Sequence, residues 1–185
     1  MTTVFLSGSR KISRIGSEVR GRLENMVQNG LTIVTGDANG ADKAMQSCLH
    51  ELGYSDITVY FVGAAPRNNV GNWPTRNVVA DAKLQGREFY AQKDRAMADI
   101  ADLGFVLWDG KSSGSVQNML WLVARRKAVV VYYAPEKQFY NFRSENELVD
   151  FLSACDDETL DDLGRKVALP ERLKKAHRTQ QVLNL

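Results

Sequence analysis

Short runs of β-branched and aromatic residues alternate along this chain with segments of helical periodicity, and this alternation constrains the fold more than any other feature. It predicts strands at residues 3–7, 31–35, 57–62, 103–108 and 128–133, and helices at residues 15–29, 41–52, 88–100 and 115–126. Strands that alternate with helices pair in parallel through right-handed crossovers. We therefore expect an α/β fold with a doubly wound, mainly parallel sheet and helices on both faces. Such a sheet binds its ligand at the carboxyl ends of its strands.

Two segments depart from this alternation. Residues 63–87 contain several Pro, Gly and Asn residues and show no clear period, which is typical of a long functional or mobile loop. Residues 144–185 are predicted to form C-terminal helices, with Ser144 as one N-cap and Pro170 opening a last helix over residues 171–183. We interpret the basic centre of that helix as a solvated face. The predicted organisation is a domain at residues 1–143 followed by a helical extension.

Composition excludes several classes of protein. The hydrophobic fraction of 44% and charged fraction of 25% are those of an ordinary globular protein. Two cysteines, Cys48 and Cys155, and two histidines are too few for a disulfide framework or a Cys- or His-rich metal site, so neither a metal nor another cofactor is expected. The net charge of +2 gives no reason to expect nucleic acid as a partner. No leader or transmembrane run is visible, which predicts a cytoplasmic protein without a membrane partner.

Three loops containing glycine or serine each follow a predicted strand, so all three should emerge at one edge of the sheet. Their candidate ligand-binding residues are Gly8, Ser9 and Arg10, then Gly36, Asp37, Gly40 and Asp42, then Asp109, Gly110, Ser112, Ser113, Gly114 and Ser115. Glycines let backbone N–H groups approach a phosphate, and the N-terminus of a following helix adds positive potential. The loops therefore predict a phosphate site, although each alone could be a plain turn. Neither a Walker pattern nor a G-x-G-x-x-G fingerprint is present, which disfavours ordinary ATPases and dinucleotide dehydrogenases.

Acidic residues near these loops are candidates for chemistry on a sugar. Asp94 and Glu88 are the catalytic candidates, because a carboxylate beside a bound phosphate can stabilise an oxocarbenium-like sugar during N-glycosidic cleavage. Asp42 is a candidate for a ribose contact or, equally, for the cap of a helix. Glu88 could instead act only as a partner of a helix dipole.

The long loop contains an aromatic residue among planar polar groups. Trp73 is a candidate for stacking on a base, and its neighbours Arg67, Asn68, Asn69, Arg76 and Asn77 could read the edges of that base. The alternative is a surface loop with Trp73 packed against the core. Trp108 and Trp121 are interpreted as core residues.

Taken in order, the three loops resemble those of the SLOG superfamily, in particular its small stand-alone group related to the DprA/Smf and LOG (lysine-decarboxylase-like) families. The resemblance runs over roughly residues 1–133. It implies a Rossmann-like nucleotide-binding domain, and the LOG likeness implies a dimer. Lys93 and Asp94 stand where the stand-alone group often has an Arg-Asn pair, which implies that Lys93 contacts phosphate. The LOG loop with its proline and catalytic glutamate is not matched, since the chain has Gln117 and Asn118 after its third loop.

Three functions remain open from the sequence. The leading prediction is that a small-molecule nucleotide or nucleotide-sugar ligand binds at the carboxyl ends of the strands. It would be bound without turnover, as in a sensor, or cleaved by an N-glycosidase-type hydrolase in which Arg10, Lys93 and Ser112 hold the phosphate. The alternative is a DprA-like nucleic-acid-handling protein, which only the basic last helix favours.

Overall fold

The computed structural model of the chain describes residues 1–81, 83–175 and 178. The strands are β1 (Thr3–Gly8), β2 (Thr32–Gly36), β3 (Ile57–Phe61), β4 (Thr75–Asn77), β5 (Leu103–Trp108), β6 (Ala128–Tyr133) and β7 (Gln138–Phe142). The helices are α1 (Ser17–Gln28), α2 (Ala41–Glu51), α3 (Gly86–Ile100), α4 (Ser113–Ala124), α5 (Glu145–Leu152) and α6 (Asp157–Lys166). Every strand and helix predicted before residue 134 is present within a few residues of its expected ends.

The seven strands form a sheet in the order β4-β3-β2-β1-β5-β6-β7. Strands β1 to β6 pair in parallel, and β7 pairs antiparallel with β6. The strand order reverses at β1, which lies between β2 and β5, and doubly wound sheets bind ligands at such a point. The predicted α/β fold with a mainly parallel sheet and additional C-terminal helices is confirmed.

Each face of the sheet carries its own hydrophobic cluster, because side chains alternate between faces along a strand. In β1, Val4 and Leu6 pack on the face covered by α1 and α2, and Phe5 packs on the face covered by α3 and α4. Helices α5 and α6 bury their apolar residues in the cluster of the second face, together with α4. Burial on both faces explains why the central strands are almost continuously apolar.

Three elements differ from the sequence-based expectation. The three-residue strand β4 lies inside the predicted long loop, and β7 and α6 were not predicted. Helix α6 begins at a cap, since Asp156 accepts a hydrogen bond from the Thr159 N–H at 2.7 Å. The predicted N-cap Ser144 is confirmed by a 3.3 Å bond from the Glu147 N–H. The predicted last helix is helical over residues 171–175, and its residues 176, 177 and 179–183 lie outside the described residues.

Candidate functional site

A cavity of about 620 Å³ opens beside the carboxyl ends of β1, β2 and β5. The loops after β1 and β5, the start of α2, helices α3 and α4 and the end of α6 all contribute to its wall. The predicted site residues that line it are Gly8, Ser9, Arg10, Asp42, Lys93, Asp94, Asp109, Ser112, Ser113 and Gly114. The three loops identified in the sequence therefore meet at one cavity.

Hydrogen bonds around Ser9 hold the first and third loops together. The Ser9 hydroxyl donates to Asp109 Oδ2 at 2.8 Å and accepts from the backbone N–H of Lys11 at 3.1 Å. Asp109 Oδ1 accepts from the Ser112 N–H at 2.7 Å. Ser9 is 1% exposed, and both side chains use their polar atoms on the protein itself. Ser9 and Asp109 thus position the loops, although both were predicted as ligand contacts.

Two glycines of the second loop provide space for neighbouring groups. Gly40 has a φ of +83°, and a Cβ there would lie 2.3 Å from the backbone oxygen of Arg10. At Gly36 a Cβ would lie 2.4 Å from both Asp42 Oδ2 and Lys93 Nζ. Neither glycine lines the cavity. Their function in this structure is to permit close packing of the first loop and of a buried charge cluster.

That charge cluster surrounds Lys93, which is 3% exposed. Its Nζ lies 2.6 Å from Asp94 Oδ1, 3.9 Å from Asp37 Oδ1 and 4.0 Å from Asp42 Oδ2. Burial acts to lower the pKa of Lys93, but the charges of the three carboxylates outweigh it and raise the pKa. Burial raises the pKa of Asp42 to about 7, against the opposing effect of Lys93. The cavity thus contains a lysine that stays charged and a carboxyl group that titrates near neutrality.

The third carboxylate of the cluster, Asp37, also fixes the long loop. Its Oδ1 accepts from Arg67 Nη2 at 2.6 Å, and its Oδ2 accepts from the Arg67 Nε and backbone N–H at 2.9 and 3.0 Å. Burial acts to raise the pKa of Asp37, but the hydrogen bonds from Arg67 outweigh it and lower the pKa. Because Asp37 is 1% exposed and does not line the cavity, its predicted contact with a ligand does not fit this geometry.

The mouth of the cavity is electropositive. Among the described residues, seven basic and four acidic side chains line it. Arg10, Lys11 and Lys111 are exposed and form no ion pair within the described chain. Helix α4 begins beside them, and its N-cap Ser112 makes no side-chain bond to the first turn. Uncapped N–H groups beside unpaired cations are suited to binding an anion.

One face of α4 forms a wall of the cavity that the sequence analysis did not identify as a site. Gly114, Gln117, Asn118 and Trp121 recur at the spacing that brings residues onto one side of a helix. Trp121 was predicted as a core residue, and it is half-buried with part of its surface on the cavity. The helical spacing of these residues after the third loop was the available signal. Arg67, predicted as a neighbour of a bound base, also lines the cavity, and Ser7, Arg87, Tyr90 and Lys166 are further lining residues that were not predicted.

Trp73 and Glu88 are predicted site residues that do not line the cavity. Trp73 is 7% exposed, packs in the cluster of the α1–α2 face and donates from its indole N–H to the Tyr54 carbonyl at 2.8 Å. This is the alternative considered for the loop, in which Trp73 packs against the core, and the geometry gives no support to stacking of a base on Trp73 in this cavity. Glu88 is exposed and does not line the cavity, which removes the geometric support for a catalytic function. Gly110 and Ser115 also stand outside the lining.

Metal centres and membrane spans were sought among the described residues alone. The described ranges contain no group of three or more His, Cys, Asp or Glu residues arranged to hold a metal ion. Within the same ranges, no helix has both the length and the apolar character to cross a membrane.

Comparisons with known proteins show a likeness at the level of the fold. No protein-family model matches the sequence, and a search of curated proteins finds no match. Among solved structures, the chain is similar to DNA processing protein A from Helicobacter pylori, with 17% identity and a TM-score of 0.53. The match covers 70% of this chain and 64% of that chain. At this identity the likeness concerns the fold, and it agrees with the predicted resemblance to DprA-related proteins at that level.

The comparison also overturns one expectation. From the sequence, nucleic acid was not expected as a partner, because the net charge is small. The similar Helicobacter pylori protein is described as binding single-stranded DNA, so this fold serves nucleic-acid binding in at least one protein. Net charge was a poor guide, because it averages over the surface and conceals the local excess of basic side chains around the cavity.

Proposed function

We propose that the cavity binds a nucleotide or nucleotide-sugar ligand, with its phosphate at the first loop and the start of α4. The observation that carries the proposal is the meeting of unpaired cations with an uncapped helix N-terminus at the mouth of a 620 Å³ cavity. A volume of several hundred Å³ is that of small-molecule sites in general. The site also lies where the strand order reverses, which is the usual ligand position in this type of sheet.

The proposal assigns different tasks to the basic residues. Arg10, Lys11 and Lys111 are free to bind a phosphate. Lys93 is held by Asp94 at 2.6 Å and acts through the positive charge it maintains in the cavity floor. Arg67 is engaged by Asp37 and keeps the long loop against the site. The SLOG-type identity of the domain belongs to this proposal, supported by the convergence of the three loops and by the DprA-like fold.

The test compares phosphorylated with unphosphorylated ligands. We expect Arg10→Ala to weaken binding of nucleoside monophosphates by about ten-fold or more, because a charge-assisted contact to phosphate is lost, and to leave nucleosides unaffected. Arg95→Ala is the matched control, since Arg95 is exposed on α3 and does not line the cavity. Binding is measured by calorimetry. Equal losses for nucleotides and nucleosides would refute the role of Arg10.

The same preparation separates binding from turnover. Nucleoside monophosphates are incubated with the protein and free base is sought by chromatography. Base release that is lost in Asp94→Asn supports an N-glycosidase-type hydrolase, because Asp94 is the predicted catalytic carboxylate that lines the cavity. Thermal stabilisation by a nucleotide that is recovered intact supports a sensor or binding protein.

A second candidate function is binding of single-stranded DNA, favoured by the similarity of the fold to a protein described as binding it. The basic mouth of the cavity would then contact the backbone phosphates of the strand. Retention of a fluorescent oligonucleotide should fall steeply with salt if several phosphates are neutralised. Competition by a mononucleotide would place both ligands at the same cavity, and retention that is unaffected by the Arg10 substitution would place DNA elsewhere.

A further inference from the structure

Asn118 is a mostly buried residue at the wall of the cavity, and its amide has no hydrogen-bond partner in the described part of the chain. The residue is 5% exposed, it lines the cavity, and its side chain makes no hydrogen bond within the described part of the chain. The amide atoms are not among the fully buried polar atoms that lack a partner, so they reach the open space of the cavity. A binding site is the usual place for such a group, because its partner is supplied by the ligand.

The position of Asn118 along α4 relates it to the proposed phosphate site. The five residue steps from Ser113 to Asn118 span about 7.5 Å of helix axis at 1.5 Å per residue. Asn118 therefore lies deeper along the helix than the uncapped N–H groups of the first turn, by a distance that leaves room for a sugar ring. Trp121 follows three residues later and also lines the cavity, so an aromatic surface adjoins the amide.

We infer that Asn118 recognises the base of a nucleotide bound in this cavity, and that the ligand class is a base-bearing nucleotide rather than a sugar phosphate. This inference rests on the proposed function. An asparagine amide places an acceptor oxygen beside an NH₂ donor, which matches a base edge where a donor and an acceptor are adjacent. The neighbouring Trp121 supplies an apolar aromatic surface for the heterocycle. Asn118 is in this sense a specificity-determining residue.

A purely structural function predicts the opposite response to substitution. If Asn118 served the fold, it would be hydrogen-bonded to the protein, and Asn118→Leu would destabilise it. Because no such bond is present, removal of the unpaired amide by a side chain of similar size should leave the melting temperature unchanged or raise it. A gain in stability accompanied by a loss of base recognition would be the signature of a binding residue.

The experiment titrates the wild type, Asn118→Leu and Asn118→Asp with AMP, GMP, CMP, UMP and ribose 5-phosphate by calorimetry. We expect at least one of the four nucleotides to bind the wild type about ten-fold or more tightly than ribose 5-phosphate. Asn118→Leu should weaken that nucleotide by roughly five- to hundred-fold, the range of a bidentate amide–base pair, and leave ribose 5-phosphate unchanged. Asn118→Asp, which lacks the donors, should reorder the four nucleotides. Asn141→Leu, on the exposed part of β7, is the matched control.

The two failures are distinguishable. If the wild type binds nucleotides and Asn118→Leu weakens nucleotides and ribose 5-phosphate equally, or weakens neither, base recognition by Asn118 is refuted and the proposed function stands. If the wild type binds none of the five probes, the proposed function fails and the inference fails with it. A melting temperature lowered by Asn118→Leu in the absence of ligand would also count against it, because the amide would then be serving the fold.

Discussion

Substitution of Lys93 by methionine tests the buried charge cluster directly. Methionine has similar length and no charge, so the change removes a cation that lies 2.6 Å from Asp94 and 4.0 Å from Asp42. Asp37 keeps Arg67, but the other two carboxylates lose their nearest cation. Removing one partner of a buried ion pair costs about 3–5 kcal/mol of unfolding free energy. For a chain of this size we expect the melting temperature to fall by roughly 6–20 °C.

The loss should depend on pH in a stated direction. The pKa of Asp42 is raised to about 7 in the folded protein, and the charge of Lys93 opposes that rise. Without Lys93, the folded protein retains the Asp42 proton to higher pH, whereas the unfolded chain releases it near the ordinary pKa. The folded state then binds more protons than the unfolded state, so stability falls as pH increases through this window. Lys93→Met should therefore be less destabilised near pH 6 than near pH 8.5.

Urea unfolding of the wild type, Lys93→Met and Arg95→Met at both pH values provides the measurement. Arg95 lies on the same helix, is exposed and is the control for loss of a cation from α3. We expect the control to change by less than about 0.5 kcal/mol, as is usual for surface substitutions. A cost for Lys93→Met below about 1 kcal/mol, or one that is equal at the two pH values, would refute the reasoning.

Two further predictions concern the glycine of the second loop and the buried tryptophan. Gly40→Ala should lower the unfolding free energy by more than about 2 kcal/mol in urea unfolding, because a positive φ is combined with a clash against the Arg10 backbone. Gly53→Ala is the control, since Gly53 has a positive φ but open space around it, and it should cost about 1 kcal/mol. Equal costs for the two substitutions would show that the close approach at Gly40 is unimportant. Trp73→Phe should lower stability by about 1–3 kcal/mol, because the Tyr54 carbonyl loses its donor, and should leave nucleotide affinity unchanged; a loss of affinity measured by calorimetry would restore Trp73 to the site.

The fold was largely predictable because its signals are local. Apolar runs such as those of β5 and β6, separated by amphipathic helices, specify a parallel sheet without any tertiary information. Strand β4 was not predictable in this way. It consists of three exposed residues and is defined by its pairing with β3, which is a tertiary contact. The same is true of β7, whose five residues pair antiparallel with β6 at the sheet edge.

The site was predictable at the level of loops and less so at the level of side chains. That three loops share an edge follows from parallel strands, and the cavity lies there. The division of tasks within the loops depends on which polar groups satisfy one another in three dimensions. Asp37 accepts hydrogen bonds from Arg67, which is thirty residues away in sequence. Ser9 donates a hydrogen bond to Asp109, which is one hundred residues away. Trp73 lies in the core and Trp121 lines the cavity. The sequence does not show which of these rings the rest of the fold will cover.

Helix α6, which lies after residue 143, contributes to the wall of the cavity as well as to the apolar core. Asp162 and Lys166 form part of the cavity wall, and Arg87 at the start of α3 donates to the Lys166 carbonyl at 2.7 Å. A fragment shortened to the strands and first four helices would retain the loops of the proposed phosphate site but present them in a cleft open on one side. Binding measurements on this protein therefore require the chain through at least α6.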